Sequence, residues 1–155
     1  MRTGVFLAAL AAAAVALAQA DVPRRKSGLW QSSMQSSHMP TMQIEECVDR
    51  ASDDFMTIAS MGEDAKDCSK HSVKREGANV VLEAVCTLEG TTVSARGVVT
   101  GSFDSAYKAQ VKASYRPPIQ GIEETTMTVE ARWIGACKPG QKPGDVDVVG
   151  LPKKP

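Results

Sequence analysis

Between residues 91 and 135 apolar and polar side chains alternate with a period of two, the pattern of strands that bury one face and solvate the other. Residues 91–101 place Val93, Ala95, Gly97 and Val99 on one face. Residues 102–105 turn the chain, and residues 106–115 alternate again, with Tyr107, Ala109, Val111, Ala113 and Tyr115 inward and Lys108, Gln110 and Lys112 outward. Pro117 and Pro118 lack the donor a ladder needs and predict a loop over 116–121. Residues 124–135 form the last predicted strand, with Thr125, Met127, Val129, Ala131 and Trp133 on one face.

Upstream, residues 28–35 set Trp30, Ser32 and Met34 on one side of a strand, residues 36–40 connect, and residues 42–48 make a second short strand. A single helix is predicted over residues 49–61. Asp49 or Ser52 serves as its N-cap, Asp53 and Asp54 lie in its first turn, Phe55, Ile58 and Ala59 recur at helical spacing, and Gly62 ends it.

The segment from Cys68 to Cys86 reads as a β-hairpin turning over Glu76-Gly77-Ala78-Asn79. Centred on Gly77, it sets Val73 against position 81 and Cys68 against Cys86. Directly opposed residues bring their Cβ atoms to about 4.5–5.5 Å, close to what a disulfide needs. Four cysteines allow three connectivities; the hairpin favours Cys68–Cys86, leaving Cys47–Cys137 to tie the first strands to the last. A zinc site is the competing use, but no CxxC spacing occurs.

The N-terminus changes the setting. Arg2, an apolar run over residues 5–17 and Ala18-Gln19-Ala20 form a secretory signal with cleavage expected before Asp21. The apolar run is shorter than the roughly 20 residues a spanning helix needs, so no transmembrane segment is expected after cleavage. Export to the periplasm or beyond makes disulfides the natural staples of a small domain. Loss of Arg2 leaves 17 basic against 18 acidic side chains. There is no basic stripe or stacking platform for nucleic acid. Residues 138–155 hold four prolines and three glycines without periodicity and are expected to be a disordered tail. The expected organisation is thus a signal peptide over 1–20, one monomeric domain over 21–137, and that tail. The domain is mainly β: a curved antiparallel meander, open or partly closed as a barrel, with one short helix and two disulfides.

Gly28-Leu29-Trp30, Cys47-Val48 before a short helix, Asp67-Cys68, Val85-Cys86 and a closing Trp133-Ile134-Gly135-Ala136-Cys137 follow one another in this order. Together they resemble the bacterial domain-of-unknown-function family 3617 over roughly residues 26–137. The resemblance implies an exported, disulfide-bonded, β-rich protein and carries no activity or functional residues.

Chemistry is sparse. No GxSxG, HExxH, phosphate loop or dinucleotide fingerprint occurs. His38 and His71 are the two histidines, and adjacent carboxylate pairs on strands point to opposite faces. The expectation is a protein that is not an enzyme and carries no cofactor. Small residues on the inner face (Ala95, Gly97, Ala109, Ala113, Ala131) leave room for an apolar ligand near Trp30, Tyr107, Met127 and Trp133, unless those side chains close over the face as core. Met34, His38, Met39 and Met42 crowd soft donors into nine residues, a set suited to Cu(I) or to adaptable apolar filling. A third possibility is an envelope protein-interaction module tethered by residues 138–155.

Overall fold

The computed structural model describes residues 22–53 and 67–149. The expected signal peptide lies outside the described residues; of the helix expected over 49–61, residues 49–53 form a turn instead, held by Ser52 N–H donating to Asp49 O, and the rest lies outside the described residues. Eight strands are present: β1 (Gly28–Ser36), β2 (Met39–Val48), β3 (Cys68–Glu76), β4 (Asn79–Leu88), β5 (Thr91–Ser102), β6 (Ala106–Ile119), β7 (Ile122–Gly135) and β8 (Val146–Val149). They form one antiparallel sheet in the order β3-β4-β5-β6-β7-β1-β2-β8. The sheet is not closed: β3 and β8 are its edges. The expected mainly-β class therefore holds, in its open form. Glu89-Gly90 and Gln120-Gly121 both have positive φ at each residue, the backbone that matches a two-residue turn to the twist of its strands.

Three further elements differ from expectation. The predicted loop over 116–121 is strand: β6 runs on through Pro117 and Pro118 to Ile119. Its ladder to β7 lapses between Ser114 and Ile119, where the prolines have no N–H to give. The connection expected over 36–40 shrinks to Ser37-His38, with Met39 and Pro40 already in β2. The tail expected to be disordered is instead held from residue 138 to residue 149. It crosses beside β1 and β2 and adds β8 to the far side of β2, Ile44 opposite Val148 and Glu46 opposite Val146. Cys47 N–H donates to Asp145 O at 3.0 Å, and Gly144 N–H donates to Cys47 O at 2.8 Å.

Both expected disulfides are formed, Cys68–Cys86 within a hairpin and Cys47–Cys137 across 90 residues. The second pins the segment leading to β8 against β2, which is why a Pro- and Gly-rich stretch adopts a fixed course.

The core occupies the inner face at one end of the sheet. Trp30, Val48, Val80, Leu82, Val99, Tyr107, Ala109 and Ala131 form one buried cluster, with Val22, Val73, Phe103, Val129 and Trp133 packed against it. The cluster passes from neighbour to neighbour across β4, β5, β6, β7, β1 and β2. Residues 22–27 cross this end and are tied there by backbone bonds: Lys26 N–H donates to Phe103 O at 2.7 Å, and the Trp30 indole N–H donates to Lys26 O at 2.8 Å.

Candidate functional site

Of the four side chains expected to meet an apolar ligand, Trp30 and Tyr107 are core and Trp133 packs half-buried against it. Trp30 has no exposed surface, and its ring centroid lies 5.5 Å from that of Tyr107, which stacks on Phe103 at 5.7 Å. Trp133 stands opposite Trp30 on the neighbouring strand. Its indole N–H donates to Ser27 O at 3.1 Å, and Lys26 Nζ sits 3.6 Å from its ring centroid, a cation over a π face. These aromatics close one end of the inner face and offer a ligand little surface. Met127 stands apart, six residues along β7, opposite Val111 and Ser36.

Cross-strand register shows where the inner face opens. One row runs Val80, Val99, Ala109, Val129, Met34, Met42 from β4 to β2. Val99 has no exposed surface, whereas Met42 is 39 % exposed. The next row ends at Ile44 and Val148, the latter 45 % exposed. The apolar floor is therefore continuous from the buried core to an open wall on β1, β2 and β8. Ile44 and Val148 were missed in the sequence, the first for want of a partner strand and the second because its segment carries turn residues.

The Met/His set is partly assembled. Met34 and Met42 are direct cross-strand partners, and Met39 faces Ser36. Three positions apart on a regular strand, Met39 and Met42 would point to opposite faces. A bulge between the Met34 and Ser36 pairings supplies the extra residue that returns Met39 to the side of Met34 and Met42. His38 lies in the turn, its Nε2 3.0 Å from Glu124 O, and so is engaged away from the methionines. No cluster of three His, Cys, Asp or Glu side chains suited to a metal occurs among the described residues.

A charged cluster invisible in the sequence borders the aromatic end. Arg25 Nη1 donates to Glu46 Oε2 at 2.7 Å, and its Nη2 donates to Asp53 Oδ1 at 2.8 Å. Its Nε also donates to Asp53 Oδ1, and its backbone N–H to Oδ2, at 3.0 and 2.7 Å. Asp53, expected to start a helix, thus clamps the N-terminal segment. Burial by itself would lower the Arg25 pKa, but the hydrogen bonds to Glu46 and Asp53 outweigh it and hold the guanidinium charged. Burial raises the Tyr107 hydroxyl above its usual range, partly offset by the nearby Arg25 charge.

The opening and closing motifs of the chain are thus built into one place: Leu29 pairs with Gly135 and Trp30 with Trp133, and Cys137 follows directly to bond Cys47. The model of the family described as "Protein of unknown function (DUF3617)" matches residues 25–137. The chain belongs to this family. As a member of the DUF3617 family it inherits no stated activity, and no curated protein matches it. A solved structure of an S-type phycobiliprotein lyase from Guillardia theta is similar at 10 % identity and a TM-score of 0.32, covering 72 % of this chain and 90 % of that one. The expectation that the chain is not an enzyme is withdrawn: the matched structure is named as a lyase, and enzyme status is shown neither way. At that TM-score the likeness assigns this DUF3617 member no activity of its own.

Proposed function

We propose that this protein binds an apolar molecule along the open half of its inner face, outside the cytoplasm. Export is supported by the signal-like residues 1–20 and by two disulfides, which persist in oxidising compartments. The observation that carries the binding reading is the row from Val99 to Met42, an apolar floor that passes from full burial to open surface without a polar break. Methionine suits such a wall, because its unbranched thioether adapts to ligands of varied shape. A flexible acyl chain matches these features better than a rigid polar molecule. The test is titration of the mature protein with a fluorescent fatty-acid analogue. Met34→Glu and Met42→Glu should each weaken binding at least tenfold, about 1.4 kcal/mol, whereas Ile134→Glu, at an exposed site on β7, should not. An unaltered affinity in both Met variants overturns the reading.

A second reading, Cu(I) binding, rests on the bulge that gathers Met34, Met39 and Met42 on one face. Changing all three to Leu keeps the apolar wall and removes the sulfurs. Loss of Cu(I) affinity with retained probe binding would support copper; loss of neither would exclude it.

A further inference from the structure

The outer face of the sheet holds a hollow of about 590 Å3 that is independent of the apolar wall. Its floor is a grid of cross-strand neighbours. One row reads Glu83, Arg96, Lys112, Thr126, and the row beside it Val85, Ser94, Ser114, Glu124. Arg96 and Lys112 are therefore directly opposed like charges, an arrangement that costs stability in a bare sheet. Each is drawn off by a carboxylate, Arg96 to Glu83 at 2.7 Å and Lys112 to Glu124 at 3.0 Å. Glu83 is shared with Lys70 at 2.9 Å, so three cations line the hollow against two carboxylates. The small side chains of Ser94 and Ser114 leave the space between the long ones open. The side chains of Ser94, Ser114 and Gln110 make no hydrogen bond among the described residues.

We infer that this hollow is an anion site, in which Arg96 and Lys112 converge on a phosphate or similar oxyanion while Ser94 and Ser114 donate from the floor. Both cations are more than half exposed, and ion pairs at such exposure are weak, so each can turn from its carboxylate to a ligand. Arg96 presents a planar fork that matches oxyanion geometry, and Lys112 adds a point charge. An anion placed between them cancels the like-charge juxtaposition that the fold otherwise tolerates. Nothing in this site touches the methionine wall, so it stands or falls separately from the apolar-ligand reading.

The test is amide NMR of the mature protein titrated with inorganic phosphate, alongside co-sedimentation with phosphatidylglycerol vesicles and with neutral phosphatidylcholine vesicles. Binding of free phosphate, with shifts centred on residues 94–96 and 112–114, identifies a soluble oxyanion as the ligand. Binding of phosphatidylglycerol vesicles alone identifies a lipid headgroup. In either case the Arg96→Gln/Lys112→Gln variant, with its melting temperature checked, should lose at least tenfold in affinity. Lys108→Gln, which removes one positive charge from the same outer face beside Glu130, should change affinity less than twofold, whereas Arg96→Gln alone, also one charge, should lose at least threefold. The inference is overturned if neither probe binds, if the double variant binds like the parent, or if Lys108→Gln loses as much as Arg96→Gln.

Discussion

Gly28 lies so close beneath the Trp133 indole that a Cβ on it would stand 2.3 Å from Nε1 and 2.3 Å from the Gly135 carbonyl oxygen. Its φ of +134° is also one that side-chain-bearing residues rarely adopt. The glycine that opens the chain's first motif and the tryptophan that opens its last are two halves of one contact. Gly28→Ala should therefore destabilise the protein by about 1–3 kcal/mol, the usual cost of overpacking. Denaturant melts check this, and the loss should shrink in a Trp133→Ala background if the indole is what the Cβ meets.

The two disulfides should differ in worth. Cys47–Cys137 closes 90 residues and Cys68–Cys86 closes 18. By loop entropy the first contributes about 4–5 kcal/mol and the second about 3 kcal/mol. Replacing each pair with alanine and comparing unfolding free energies tests the ranking. Loss of the first pair should in addition raise amide exchange in residues 144–149, whose course depends on it.

Arg25 and Asp53 are almost fully enclosed. Arg25→Ala strands the carboxylate of Asp53 without its cation, and breaking a buried pair in this way costs about 3–5 kcal/mol. Arg25→Lys should recover only part of it, since an ammonium cannot reproduce the fork that spans Glu46 and Asp53. Thermal melts of both variants decide.

Tyr107 should make the fold sensitive to alkali. Burial holds its folded-state pKa above the unfolded value of about 10. The stabilisation is then fully present below pH ~10 and is lost as pH rises through the folded pKa, because the unfolded chain releases the proton first. Tyr107→Phe should flatten the fall in melting temperature above pH ~10. An equally steep fall in the variant would assign alkaline lability to other groups.

The Cys68–Cys86 bond shows how far local pattern reaches. Centring the turn on Gly77 opposes Val73 to Val81; the real two-residue turn, Gly77-Ala78, opposes Val73 to Leu82. Carried back unbroken, that register would set Cys68 against Thr87. A bulge between Cys68 and Lys70 takes up one residue and restores Cys86. The pairing was legible although the register behind it was one residue off, because a disulfide tolerates a bulge that alternation cannot reveal.

What the residues determine unaided is what neighbouring side chains decide. The period of two along β5, β6 and β7 names the inward positions Val99, Tyr107, Ala109 and Ala131, all of which are buried. Cysteine spacing and number point to both staples. What only the tertiary structure decided depends on partners distant in the chain. β8 exists because Cys137 and the backbone of Cys47 hold its approach against β2; a Val-Asp-Val-Val stretch among prolines and glycines carries no such instruction. Trp30 and Tyr107 became core, with Trp133 packed against them, because Val22 and Phe103 cover that end of the face, while Met42 lies beyond their reach. Which part of a face is covered depends on segments that arrive from elsewhere in the chain, and no single strand records it.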